Sequence, residues 1–192
     1  MSASKKEWEC LRSEPGPDLK LFKTRFDYMK NPRNDQTDKM IILDSEDSAN
    51  VIAVSPENQI VFVRQYRFGI GDYTVELPGG LVEPDEEQAV AVQRELQEET
   101  GYTAPFWHSL GKIPSNPVFI NSYIHHWVAT DAVKTAELNL DESEDMELIL
   151  IPIEEVRQGL YKGAFQHPHT SNALILFFSW YDEISNTPKP SL

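Results

Sequence analysis

The stretch from Gly80 to Tyr102, GLVEPDEEQAVAVQRELQEETGY, restricts this chain more than any other. From Glu86 to Glu99 it reads as a helix. Ala89, Val92 and Leu96 share one face at helical spacing, and Gly101 stands where a left-handed C-terminal cap belongs. Glu95, Glu98 and Glu99 fall at i, i+3 and i+4, so three carboxylates project from one side. Their mutual repulsion would weaken a bare helix, and a hard divalent cation with oxygen ligands offsets it directly. Arg94, four residues before Glu98 and two turns from Glu86, can pair with either acid. Three glutamates alone also describe a solvated acidic face, so their surroundings decide.

Upstream, Val51 to Val54 and Ile60 to Arg64 are β-branched runs split by Pro56-Glu57-Asn58, a hairpin pattern. Tyr73 to Leu77 is a further strand that ends at Pro78-Gly79-Gly80. Downstream, strands are expected near Ile120 to Ala129 and Glu147 to Ile151, with an acidic loop between Leu140 and Met146. Helices follow at Ile153 to Leu160 and Ser171 to Ile184. This order predicts an α/β fold, an α/β/α sandwich on a mixed sheet. The N-terminal part reads as a separate small β unit. Trp8 to Arg12 and Leu19 to Tyr28 are strands about a Pro15-Gly16-Pro17 turn, and Met40 to Leu43 starts another after the polar loop Asn31 to Asp38. Three short strands make little core alone, so they should pack on the main body or on a second subunit. The divisions are therefore 1–45, 46–184 and a tail from 185 to 192.

Composition narrows the partners. Thirty-one acids against 17 bases give a formal charge of −14, which disfavours polymeric nucleic acid and an anionic membrane surface. A small anionic ligand remains open, because bound cations and a few arginines reverse the local field. Cys10 is the single cysteine, so neither an intrachain disulfide nor a thiolate metal cage forms. No signal-like apolar segment opens the chain, and the apolar run Ala173 to Trp180 is too short for a bilayer, so a cytoplasmic location is expected.

The helix and its flanks fit G-x5-E-x7-R-E-U-x-E-E-x-G-U, with U a bulky apolar residue. Gly80, Glu86, Arg94, Glu95, Glu98, Glu99 and Gly101 occupy the named positions, a coincidence of about 10⁻⁹ per starting point. On these residues the chain resembles the Nudix hydrolases. Leu96 fills the first apolar slot; Tyr102 fills the last with an aromatic. The resemblance implies that Glu95, Glu98 and Glu99, helped by the Gly79 carbonyl, bind Mg²⁺ or Mn²⁺. It gives Glu98 a catalytic part and makes Arg94 and Glu86 orienting residues. A loop glutamate, Glu144 first and Glu142 second, would act as base.

Val63-Arg64-Gln65-Tyr66-Arg67 and Glu76-Leu77-Pro78-Gly79-Gly80 resemble the ADP-ribose and nucleotide-sugar pyrophosphatases within that family. The likeness implies that Arg67 contacts the diphosphate and that Glu76 lies beside the substrate. Pro117, sixteen residues after Gly101, resembles the downstream proline of ADP-ribose hydrolases, although Val118 to Ser122 lack the Ser-Glu pair that often follows it. The expected reaction is hydrolysis of a nucleoside diphosphate sugar to a nucleoside monophosphate and a sugar phosphate, by a homodimer. A triphosphate-sanitising pyrophosphatase and an inactive nucleotide sensor are the competing readings. His125-His126 and His167-x-His169 are read as packing or surface residues, and Phe22, Phe26 and Tyr28 as interface or core.

Overall fold

The structure, a computed structural model, describes residues 7–140 and 145–186. It divides into two compact units. One comprises residues 1–46 and 114–123, the other 47–113 and 124–192.

In the first unit, β1 (Glu9–Asp18), β2 (Lys23–Lys30) and β3 (Thr37–Asp44) form an antiparallel sheet in the order β1-β2-β3. Pro15-Gly16-Pro17 is not the turn expected from its composition. It lies inside β1, with Pro15 opposite Arg25 and a register shift before Asp18. β1 is an edge strand, where a missing proline N–H breaks no ladder on the open side. The chain reverses instead at Leu19 to Phe22, with Lys20 at φ 67° and its amide on Asp18. One sheet face is held by polar groups: the buried Asp27 accepts from Ser13 Oγ at 2.6 Å and pairs with Arg25 at 3.1 Å. On the aromatic side, Arg12 covers Tyr28 and Lys39 covers Phe26. The segment around Ile120, expected to begin a strand of the main sheet, joins this unit. Leu43 N donates to Phe119 O, and Asn121 donates through its side chain to Asp44.

The second unit holds a seven-stranded mixed sheet. β4 (Ser48–Val54) and β5 (Gln59–Arg67) form the hairpin, turning at Ser55 to Asn58, where Asn58 takes φ 57°. β6 (Asp72–Glu76) pairs with β5, and β7 (Gly79–Leu81) with β4. The Pro78-Gly79-Gly80 stop is thus only a one-step change of partner, because Gly79 and Gly80 re-enter the sheet opposite Asn50 and Ala49. After α1 (Gln88–Thr100) come β8 (Tyr102–Thr103), β9 (Phe106–Pro114), β10 (Tyr123–Thr130), β11 (Val133–Lys134) and β12 (Met146–Pro152). The helices α2 (Ile153–Tyr161) and α3 (Pro168–Asn186) follow. The main order is β12-β5-β4-β10-β9, with β4 and β10 parallel and β12 antiparallel to β5.

Alternation along the two central strands divides the core. Val51, Ala53 and Val61 meet Ala91, Val92 and Leu96 of α1, while Ile52, Val54, Ile60 and Phe62 meet Val156 of α2 and Leu174 and Phe177 of α3. Both faces of β4 and β5 are buried, which is why these strands read as unbroken apolar runs. The α/β/α sandwich is the observed architecture. Within α1, Ala91 rather than Ala89 completes the buried stripe, Ala89 being only half-buried. Gly101 caps the helix at φ 73°, its amide on Gln97 O.

Candidate active site

The glutamates of α1 gather around one guanidinium. Arg94 donates to Glu86 through Nε at 3.1 Å and Nη2 at 3.0 Å, to Glu95 at 2.8 Å and to Glu98 at 3.1 Å. Glu86 closes the loop before the helix by accepting the Glu83 amide. Arg94 is raised above the usual arginine range, first by its bond to Glu86, and Glu86 is lowered by the same pairing. Glu99 turns the other way. It is buried and accepts the Gly79 amide at 2.8 Å, tying the helix to β7. A Cβ built on Gly80 would come within 2.4 Å of Glu95 Oε1, and one on Gly79 within 2.1 Å of Ala49 O. Only glycine lets this backbone pass so close to the carboxylates.

This donor set fits a hard cation: carboxylate oxygens from one helix face beside a side-chain-free backbone. Among the described residues, no three acidic or histidine side chains converge as a closed metal cluster. Arg94 occupies the space between Glu86, Glu95 and Glu98 and balances charge that a cation would otherwise balance.

A cavity of about 610 Å³ opens beside this helix-loop. Gly79 and Gly80 line it on one side, and Arg67, Thr74 and Glu76 on another; the start of α3, His167 to Thr170, supplies a third wall. Arg67 grips Glu76 with two bonds of 2.6 Å, from Nε and Nη2, and Thr74 Oγ1 donates to the same carboxylate. Burial opposes ionisation of Glu76, yet Arg67, Thr74 and the neighbouring His167 outweigh it and hold its pKa below the usual carboxylate range. His167 sits with Nε2 3.5 Å from Glu76. Burial pushes its pKa down despite that carboxylate. Thr170 Oγ1 accepts the Leu77 amide at 3.2 Å, which hangs the first turn of α3 on the end of β6.

Of the expected residues, Gly79, Glu86, Arg94, Glu95, Glu98 and Glu99 thus lie together, and Arg67 and Glu76 meet as an ion pair at the cavity. Pro117 belongs to the other unit, exposed at the head of a turn in which Asn116 accepts from Val118, Phe119 and Ile120. Glu142 and Glu144 lie outside the described residues.

The histidine pair is not superficial. His125 is buried against Asp47, Nε2 to Oδ2 at 2.8 Å, and His126 is fully buried with Nδ1 2.7 Å from Asn50 Oδ1. Asn50 lines the cavity. Sequence reading passed over it, because its partner lies 76 residues away and no local pattern links them.

The NUDIX domain model matches residues 44–174. The methanol dehydrogenase activator of Bacillus methanolicus is 36% identical over 153 residues, 79% of this chain and 82% of that protein. The ADP-ribose pyrophosphatase of Bacillus subtilis is 32% identical over 64% of this chain and 66% of its own length. A crystal structure of an ADP compounds hydrolase superposes with a TM-score of 0.83 at 21% identity, covering 97% of this chain and all of that one, and shows the shared fold. With its family model spanning most of the sequence, the chain belongs to the Nudix hydrolase family.

Proposed function

We propose that this enzyme hydrolyses the diphosphate of ADP-ribose or a related nucleoside diphosphate sugar, releasing a nucleoside monophosphate and a sugar phosphate. The observation that carries this reading is the cavity of about 610 Å³ joining the glutamate helix-loop at Gly79 and Gly80 to the Arg67–Glu76 pair. Its volume falls within the range of about 300–1,000 Å³ usual for small-molecule sites. The Bacillus subtilis relative bears the name of that activity, which supports the same substrate class.

Nudix hydrolases act with divalent metal ions, and Glu95, Glu98, Glu99 and the Gly79 carbonyl would hold Mg²⁺ or Mn²⁺ here. Such ions neutralise the diphosphate and lower the pKa of a bound water. Arg94 and Glu86 orient the acids. Arg67 presents its guanidinium to the diphosphate, and the buried Glu76 fixes its plane. The proton of the attacking water passes to a loop carboxylate, Glu144 or Glu142.

The enzyme would act as a cytoplasmic homodimer. Leu11 and Ile41, half or more exposed on the three-stranded sheet, favour a second copy as cover. Light scattering at micromolar concentration should give the mass of a dimer; a monomer rejects this part.

A phosphatase-coupled release assay tests the reaction. With Mg²⁺, ADP-ribose or another diphosphate sugar should be cleaved in preference to nucleoside triphosphates. Turnover of triphosphates alone would move the enzyme to nucleotide sanitation, and silence with both Mg²⁺ and Mn²⁺ would favour a sensor.

A further inference from the structure

The sheet face beneath α3 is apolar along β4 and β10, where Ile52, Val54 and Val128 join the core. At Asn50 and His126, which stand side by side in the parallel register of the two strands, it becomes polar. Both residues are buried, at 5% and 0% exposure. A buried amide and imidazole are costly unless their hydrogen bonds are made. Packing alone would be served by two apolar residues.

The bond between them fixes what each can do. Asn50 Oδ1 only accepts, so His126 Nδ1 carries the hydrogen and donates across 2.7 Å. The amide cannot then flip, and its Nδ2 is left as a donor on a residue that lines the cavity. His126 Nε2 becomes a pure acceptor, buried without a hydrogen-bond partner among the described residues. Burial holds His126 neutral, with its pKa pushed down to about 4, so the pair carries no charge.

Position points to the ligand group. Asn50 lies directly opposite Gly79 in the β4–β7 pairing, and the Gly79 amide is bonded to Glu99. Asn50 therefore lines the cavity together with Gly79, the residue whose backbone ties the cavity wall to Glu99. The one arginine in the cavity lining is already matched by Glu76, so a bound diphosphate needs neutral donors as well.

We propose that Asn50 is a substrate-binding residue whose Nδ2 donates to a non-bridging oxygen of the diphosphate, with His126 as the positioning residue that locks the amide. The inference rests on the diphosphate-sugar reading above.

The test uses the full chain with Mg²⁺ and ADP-ribose, or the diphosphate sugar that the release assay selects. Asn50→Asp keeps the size and the acceptor for His126 while removing the donor. Its KM should rise about tenfold or more, from the lost hydrogen bond to a charged group and from repulsion between the new carboxylate and the diphosphate, with kcat much less altered. Asn50→Ser gives the same rise should the aspartate variant fold poorly. His126→Leu should raise KM in the same direction, and His126→Asn, whose side-chain N–H takes the place of Nδ1–H, should restore most of it. An unchanged KM in Asn50→Asp overturns the assignment, as does a fall in urea midpoint with KM constant, which would mark a purely structural pair. Failure of the unsubstituted chain to turn over any diphosphate sugar overturns the proposed function instead, and this inference with it.

Discussion

His126 should make the fold sensitive to mild acid, by an amount the structure sets. Its pKa is pushed from 6.5 to about 4, chiefly by burial and then by His169 and His125. Between those two values the unfolded chain binds a proton that the folded chain refuses. The folded state therefore loses stability as pH falls below about 6.5, and the loss is complete near pH 4. Each tenfold change in proton affinity is worth about 1.4 kcal/mol, so the full effect is about 3 kcal/mol. That is a large part of the roughly 5–15 kcal/mol that holds a typical domain. The lowered carboxylates act in another window: Glu76, Glu86 and Asp27 stabilise the fold above the unfolded carboxylate range and are lost below it. Urea unfolding of the natural chain and of His126→Asn, from pH 7.5 to 4.5, separates the terms, because His167 and the carboxylates are common to both. The natural chain should lose about 2–3 kcal/mol relative to the variant across that interval. A difference independent of pH would refute the neutral, buried imidazole.

Two further outcomes are expected. Glu98→Gln and Glu99→Gln should each lose most activity yet remain folded in circular dichroism, Glu99→Gln being the less stable in urea because its carboxylate is buried on the Gly79 amide; full activity in both would dismiss them as ligands. Gly79→Ala should cost about 2 kcal/mol or more and abolish turnover, since φ is 153° and a Cβ would strike Ala49 O. Gly111→Ala meets open space, pays only the strain of φ 96° and should stay active; equal urea midpoints for the two alanine variants would contradict the close approach at Gly79.

What could be read from the sequence was local. The apolar spacing and Gly101 cap of α1, and the β4–β5 hairpin around Pro56-Glu57-Asn58, are set by neighbours in sequence. The acids and Arg94 could be placed on one helix for the same reason. β9 escaped notice because it borders the sheet and carries His108, Ser109 and Lys112 with no clean alternation. Pro15-Gly16-Pro17 misled because its turn chemistry is overruled where an edge strand needs no donors. The Arg67–Glu76 grip and the Asn50–His126 pair depend on strand pairing, which brings distant residues into register and leaves no periodic trace.

β4 carries two assignments at once. Its odd-numbered residues from Ala49 join the α1 core, while Asn50 and Ser48 belong to the cavity, which Ala49 also borders. A shift of one residue would drive an amide into the α1 core and set a valine where the ligand is expected. An insertion or deletion in the Ser45 to Ser48 approach should consequently remove recognition and folding together, so new specificity in this scaffold has to arise by substitution in place or from the loops that close the cavity.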